Sequence, residues 1–539
     1  MAQVTPRYGQ MGQSISQVET VEQESGAPSR DDQPPSTPRV GTNYAVCLRL
    51  KSRVYARWQP TLLPLLLTAW GLMLAMLSAH PLREDEALYA AWALKIAHGD
   101  FWLLGVPVDK PPLYLWLLTV WQSLVGSSVP ALRLLNISLS LLNAALLVSL
   151  AHRLTDRRTA WLALAVYASA PFAILFAPTL YTDVLLTTIS LAACLAAVHQ
   201  RWGWLGLCLG LSLAAKQQAL LLAPLPLLLA WLTLRQPGWR RVARGLAGLS
   251  LPIAVVWAWD ARRLAWTPPG GPPDVWTQSA VSYGGLTLAP LATWLPRLYE
   301  WLAVAQYLAP GWALRGLLLM GMGLACRAAW QRCKRQRLFS QPPWQLLMLG
   351  FALIYLTAQV VVSFQVWDRY LLPLAPLAAV FSAVALRWLW RRMGLVVVVL
   401  ALLLLPGPAW RAAHSGYPIG SDHGAYDGIE EAAAVVRQAL PDNPFGVLYH
   451  HELGWHWQYY LAAAHFQQVY YPTPAFLAAD AAGPATYTRL VVIPAWRWDD
   501  ELPAALAAHR LRLHWLHTTC RPDGSPSFLI YRIEPISGL

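Results

Sequence analysis

Apolar and polar positions alternate over long stretches of this chain. From Thr61 to about residue 410, apolar runs of bilayer-crossing length recur between short polar loops. The runs that predict spans are 60–79, 131–151, 159–178, 184–199, 203–215, 218–234, 244–259, 312–330, 343–363, 370–387 and 393–408. Together they predict a mostly α, polytopic membrane protein with about eleven transmembrane helices. Two further apolar segments are expected not to cross. Segment 112–126 is short and follows Pro111-Pro112, and 288–308 contains Arg297 and Glu300.

The pattern changes at both ends of this region. Residues 1–57 are rich in Gln, Ser, Pro, Thr and Gly and poor in large apolar residues, which predicts a disordered tail. The first apolar run starts too far in for a secretory signal, and no small-residue cleavage site follows, so it is expected to be an uncleaved anchor. Beyond Ala409 the chain is more polar. GIEEAAAVVRQAL reads as a helix, and FGVLYH, RLVVIP, LRLHWLH and SFLIYRI read as short strands. The predicted layout is a tail over 1–57, a transmembrane catalytic domain over 58–410 with a first outer loop at 80–112, and a small soluble α/β domain over 411–539.

Charge orients this layout. Only 13% of the 539 residues are charged, about half the usual share for soluble domains. The net charge of +13 raises the question of nucleic acid. Most Lys and Arg instead gather in short loops between apolar runs, which is the positive-inside pattern, so no nucleic-acid partner is expected. Arg153, Arg157 and Arg158, then Arg235, Arg240 and Arg241, then Arg327, Arg332, Lys334, Arg335 and Arg337, then Arg387, Arg391 and Arg392 all fall on one side. That side is read as cytoplasmic, together with the N-terminus. The first outer loop and the C-terminal domain then lie on the outer face. The pair Arg262-Arg263 departs from the pattern and falls in a long outer loop, where the rule is weaker. The six cysteines form no CxxC, and neither a disulfide framework nor a zinc signature is present in the sequence.

The candidate chemistry lies on the outer face. Glu84, Asp85 and Glu86 stand where the first span surfaces, followed by Leu88, Ala91, Trp92 and Ile96 spaced for one apolar helix face. Asp85 can be read as a base or as part of an acidic cap on an interfacial helix. Lys110 arrives just before Pro111-Pro112, suited to an anion. Asp183 opens an apolar run, where a carboxylate is costly and so a functional candidate, with helix capping as the alternative. Lys216 falls at an outer turn, where it either acts or snorkels. Asp368-Arg369-Tyr370 falls at another outer edge, where an interfacial anchor is the plain alternative. His450, His451 and His456 lack the spacing of a metal site and are expected at the surface or in packing.

At these positions the chain resembles the GT-C glycosyltransferases, polytopic enzymes that take a sugar from a polyprenyl-phosphate carrier. The resemblance is to the bacterial branch near the protein O-mannosyltransferases of family 39 and the aminoarabinose transferases of lipid A. It rests on Asp85-Glu86 with Tyr89, on DKPPLYLWL at 109–117, ALRL at 131–134, YTDVLL at 181–186, AAKQQALLL at 214–222 and RYLLPLAPL at 369–377, and covers roughly 60–390. It implies a bacterial inner-membrane glycosyltransferase with Asp85, Glu86 and Asp183 as catalytic carboxylates. Lys110, Lys216 and Arg369 would hold the donor phosphate, and Tyr89, Asp109 and Tyr370 would contact substrate. The partners implied are a polyprenyl-phosphate sugar and a lipid, glycan or protein acceptor at the bilayer. No cofactor is required by the motif, and a divalent metal is left open. Two positions depart from the pattern. Leu88 stands where the aminoarabinose transferases carry Arg, and Gln217 follows Lys216 where Gly is usual.

The reaction expected is direct displacement with inversion, Asp85 accepting the acceptor's proton as the carrier phosphate leaves. Two other classes compete: a transporter or flippase of lipid-linked intermediates, and a scaffold presenting the outer domain. Against the first, the chain shows no pair of matching hydropathy halves. The second leaves Asp85, Lys110 and Asp183 without a role.

Overall fold

A computed structural model describes residues 62–77, 79–233, 238–284, 287–334, 344–484 and 486–536. The tail 1–57 and Cys47, Arg235, Arg335 and Arg337 lie outside the described residues. The architecture is mostly helical up to Ala413, with a small mixed sheet near the C-terminus.

Among the described residues, five helices are long and apolar enough to cross a membrane: Val129–Leu154, Trp239–Trp266, Trp344–Val361, Asp368–Met393 and Leu395–Ala413. The other expected spans are built differently. Leu63–Met76, Thr182–Val198, Trp202–Ala215 and Ala219–Leu232 are shorter apolar helices. The run 159–178 is interrupted between Arg157–Ala168 and Pro171–Phe176, because Pro171 starts a new helix at its N-terminal position. The run beginning at residue 370 opens as a 3₁₀ segment, Asp368–Leu374, before the α-helix Ala375–Met393.

The two segments set apart from the spans have their own work. Leu113–Val125 extends only about 20 Å at 1.5 Å per residue. It packs on the helix Glu84–Ala97, where Gln122 donates to the Ala93 carbonyl at 2.9 Å. The segment Leu291–Leu308 meets the helix beginning at Trp312 at a 97° bend. Its Arg297 donates to the carbonyls of Gln359, Val360, Val362 and Phe364, capping the end of Trp344–Val361. A guanidinium satisfying four carbonyls explains a charge inside an otherwise apolar run.

The short helix Trp202–Ala215 is secured by close packing against Trp239–Trp266. A Cβ at Gly206 would lie 1.8 Å from the Gly245 carbonyl oxygen, so only glycine permits this backbone approach.

The C-terminal sheet runs in the order Gln467–Tyr470, Gly446–His450, Thr488–Pro494, Pro526–Pro535, Leu511–Cys520. Strands β1 (Gly446–His450), β2 (Gln467–Tyr470) and β3 (Thr488–Pro494) are parallel, and β4 (Leu511–Cys520) and β5 (Pro526–Pro535) add antiparallel. Alternation along β1 and β3 sends Leu448, Leu490 and Val492 into one core with Ile429, Val436 and Trp457. It sends Val447, Tyr449, Val491 and Ile493 into another with Leu477 and Leu506. Helices therefore cover both faces, as parallel strands require. The four expected strands and the 429–439 helix are present; β2 is additional.

This sheet unit docks on the first loop through the helix Gly454–Tyr460. His456 Nε2 meets the Leu82 carbonyl at 2.9 Å, and the Leu82 amide donates to Tyr460 Oη at 3.0 Å. Trp455 packs edge-on against Trp92. His456 is thus a buried docking residue, and burial pushes its imidazole down to about 4.

Candidate active site

The helix Glu84–Ala97 begins with the three acids, and consecutive helical positions send their side chains in different directions. Glu86 turns inward and is fully buried. Arg133 grips it through Nε at 3.2 Å and Nη2 at 2.7 Å, while the amides of Leu180 and Arg83 donate to it at 2.8 and 3.0 Å. Burial alone would raise this carboxyl, but Arg133 and Arg83 outweigh it and hold Glu86 below the usual range. The structure therefore pairs Glu86 with Arg133, not with the Arg369 that meets Asp85. It fastens the first loop to the Val129–Leu154 helix and to the strand of chain before Tyr181. Its partner, the Arg of ALRL, is a residue whose role the sequence reading left unassigned.

Asp85 turns the other way, with 21% of its side chain exposed. Arg369 Nη2 lies 2.5 Å from its Oδ2, off the axis of an aligned hydrogen bond. Arg369 Nε also faces Asp183 Oδ2 at 3.8 Å, and Lys216 Nζ donates to Asp183 Oδ1 at 2.6 Å. Asp85, Arg369, Asp183 and Lys216 thus form one alternating chain of charge. Leu88 stands on the same helix, and the cation that meets Asp85 is Arg369, distant in sequence but adjacent in the fold. Asp183 is buried between the two cations Lys216 and Arg369.

The cations reach the site from separate elements. Arg369 leads the 3₁₀ segment, whose Asp368 takes the Arg369 amide at 2.7 Å and the Gly420 amide at 2.6 Å. Guanidinium planes over aromatic faces are favourable, and Arg369 lies 4.7 Å from the ring centres of both Tyr181 and Trp367. Lys216 ends the Trp202–Ala215 helix, with Nζ 4.5 Å from the Tyr370 ring centre.

Lys110 contacts Asp109 Oδ2 at 2.9 Å and donates to Tyr283 Oη at 2.6 Å, with that ring's centre 4.1 Å away. Gln217 donates to the Asp109 carbonyl at 3.0 Å, a tie that glycine could not make. Tyr89 lies buried one turn after Asp85 and packs edge-on against Tyr114. Tyr283 was missed in the sequence. It closes a helix, Val275–Tyr283, whose Asp274 caps the amides of Trp276 and Thr277; that cap was the available signal.

Lys110, Lys216 and Tyr370 line a cleft with Gln217, Tyr283, Trp276 and Phe364. It encloses about 850 Å³ including its mouth, and Leu220, Leu221 and Ala280 make much of its wall apolar. Two lysines in the wall of a largely apolar cleft suit a molecule with an anionic head and a hydrocarbon body. Among the described residues, no cluster of three or more His, Cys, Asp or Glu could hold a metal ion.

Comparison with known proteins decides the fold. ArnT from Cupriavidus metallidurans, solved bound to undecaprenyl phosphate, superposes with a TM-score of 0.62 at 15% identity, over 87% of this chain and 97% of that one. Its apo structure matches with the same score at 14% identity and the same coverages. The chain has the GT-C fold. The Archaeoglobus fulgidus oligosaccharyltransferase in its apo form matches at a TM-score of 0.49 and 14% identity, over 87% of this chain and 74% of that one. Residues 109–259 match the family described as dolichyl-phosphate-mannose-protein mannosyltransferase. No curated protein matches the chain by sequence. The matched segment carries Asp109, Lys110, Asp183 and Lys216. Asp85 and Arg369 lie outside it, and the GT-C fold brings them to the same cluster.

Proposed function

We propose that the chain is a membrane glycosyltransferase that moves a sugar from a polyprenyl-phosphate carrier to an acceptor on the outer face of a bacterial inner membrane. The observation that carries this reading is the continuity between Asp85 and the lysine-headed apolar cleft, through Arg369, Asp183 and Lys216. A carboxylate alone fits many enzymes. A carboxylate wired to an apolar cleft lined by two lysines fits a reaction whose leaving group is a lipid phosphate. The match of 109–259 to a dolichyl-phosphate-mannose-dependent family, and of the fold to a protein solved with undecaprenyl phosphate, support the same donor class.

In this reading the polyprenyl tail lies against Leu220, Leu221 and Phe364, with the phosphate at Lys110 and Lys216. Asp85 takes the proton from the acceptor hydroxyl or amine as that atom attacks the anomeric carbon. The bond from that carbon to the phosphate oxygen breaks on the opposite face, so the linkage inverts. Lys110, Lys216 and Arg369 receive the charge that develops on the departing phosphate, and fixed cations there often supply the larger share of rate. Asp183 orients Arg369 and Lys216. Tyr89, Asp109 and Tyr370 shape the site.

The test is chemical. Purified protein in detergent is given a polyprenyl-phosphate sugar and a crude envelope acceptor fraction, and the carrier is followed by mass spectrometry. Release of sugar-free polyprenyl phosphate with matching gain of mass on an acceptor is expected. A protein that only moves the lipid between leaflets leaves the carrier intact, and that outcome would overturn the reading.

A further inference from the structure

The end of the helical region remote from Asp85 holds a second charged cavity. It lies where the helix Val129–Leu154 ends, Arg157–Ala168 begins, and Trp312–Lys334, Trp344–Val361 and Ala375–Met393 converge. It encloses about 1460 Å³ including its open mouth. Among the described residues, four arginines line it, Arg327, Arg387, Arg391 and Arg392, against one carboxylate, that of Asp156.

Two of these arginines, Arg387 and Arg391, are tied to Asp156. Asp156 caps the Arg157–Ala168 helix, accepting the Thr159 amide at 2.9 Å. Its other oxygen meets Arg387 Nε at 3.2 Å and Arg391 Nη2 at 3.3 Å. Arg387 is built into the wall, with 16% of its side chain exposed, while Arg391 stands at the mouth with 63% exposed. One carboxylate cannot neutralise four cations, so the described lining of the cavity carries an excess of positive charge. Guanidinium forks match phosphate oxygens in geometry as well as charge.

Position indicates which phosphate. The helix Ala375–Met393 starts just after Arg369, and Arg391 follows its first residue by about 24 Å at 1.5 Å per residue. That is close to the thickness of the hydrocarbon layer, so the cavity sits at the opposite polar boundary from the Asp85 cluster. Leu324, Ala325 and Val384 line its apolar side, and Trp388 stands partly exposed at its edge. Trp at such an edge marks the head-group level.

We propose that this cavity binds the phosphate head group of an anionic phospholipid from the leaflet opposite the transfer site, with Arg327, Arg387, Arg391 and Arg392 as its ligands and Leu324 and Val384 against the first acyl carbons. Basic pockets between transmembrane helices take lipids of this class. Scattered interfacial arginines would attract anionic lipid diffusely; a cavity with a fixed, mostly buried Arg387 retains one molecule.

Native mass spectrometry of the full chain in detergent tests this, with phosphatidylglycerol, phosphatidylcholine of the same acyl chains, and inorganic phosphate as separate arms. One retained phosphatidylglycerol per chain is expected, with no comparable phosphatidylcholine adduct. The R391Q/R392Q double variant should hold phosphatidylglycerol roughly tenfold or more weakly, and Arg327→Gln, on a different helix, should weaken it as well. If the double variant does not fold, Arg327→Gln alone gives the same reading. Equal retention of both lipids, or unchanged retention in the variants, overturns the proposal. Displacement of the lipid by inorganic phosphate at equal concentration assigns the site to a free anion and overturns the lipid as its source.

Discussion

Asp85 Oδ2 and Arg369 Nη2 stand 2.5 Å apart, joining the first polar loop to a segment that follows it by most of the helical region. The same guanidinium faces Asp183, which Lys216 holds from the other side. The pair is therefore the hinge between the carboxylate proposed as base and the cations proposed to receive a phosphate. Its consequences differ from those of the adjacent acid.

Glu86→Ala should destabilise the protein while Asp85→Asn should not. Removing one partner of a buried ion pair leaves the other charge uncompensated, at a cost of about 3–5 kcal/mol. Glu86 is fully buried on Arg133, so thermal unfolding in detergent should shift down clearly for Glu86→Ala. An unshifted unfolding curve would contradict the anchoring role.

Lys110→Ala should weaken use of the carrier more than use of the acceptor. Hydrogen bonds to charged groups are worth about 1.5–3 kcal/mol, so a rise in carrier KM of roughly 10-fold or more is expected. Tyr283→Phe, which removes the oxygen 2.6 Å from Lys110 Nζ, should give a smaller change in the same direction. Separate titrations of carrier and acceptor check both; a defect confined to the acceptor would move Lys110 out of the phosphate site.

Docking of the C-terminal unit should weaken in acid. His456 is held down to about 4 when folded, against 6.5 as an ordinary imidazole, so the unfolded state binds the proton more readily. Its contribution is fully present above about pH 6.5 and is lost as pH falls toward 4. The full span is on the order of 3 kcal/mol. His450, also pushed down to about 4 by burial, adds in the same direction. Thermal unfolding between pH 7 and 4 should show a shallower pH dependence for His456→Gln than for the unaltered chain.

Asp85, Lys110, Asp183, Lys216 and Arg369 were legible in the sequence because charge is conspicuous beside long apolar runs. Their grouping in space was not, since Asp85 meets Arg369 through the fold alone. Glu86 looked equivalent to Asp85 because adjacent letters do not show which way a helical side chain turns; its partner Arg133 lies 47 positions on. Tyr283 lies 173 positions from Lys110, and its only flag in the sequence is the Asp274 cap at the start of its helix. The strand Gln467–Tyr470 escaped notice because an edge strand of four residues, with none of them fully buried, carries little alternation. The span count was hard to read for a related reason. Helices such as Trp202–Ala215 are stabilised by glycine packing against a neighbour, and hydropathy alone does not report that.

The most direct test of the central claim is turnover of Asp85→Asn, an isosteric change that keeps the side-chain volume beside Arg369. With a polyprenyl-phosphate sugar as donor, single-turnover transfer should fall by roughly 10²–10⁴-fold, while carrier binding, read by competition with unlabelled polyprenyl phosphate, stays near that of the unaltered protein. Transfer at a near-normal rate would show that Asp85 is not the base, and the mechanism built on the Asp85–Arg369 pair would fall with it.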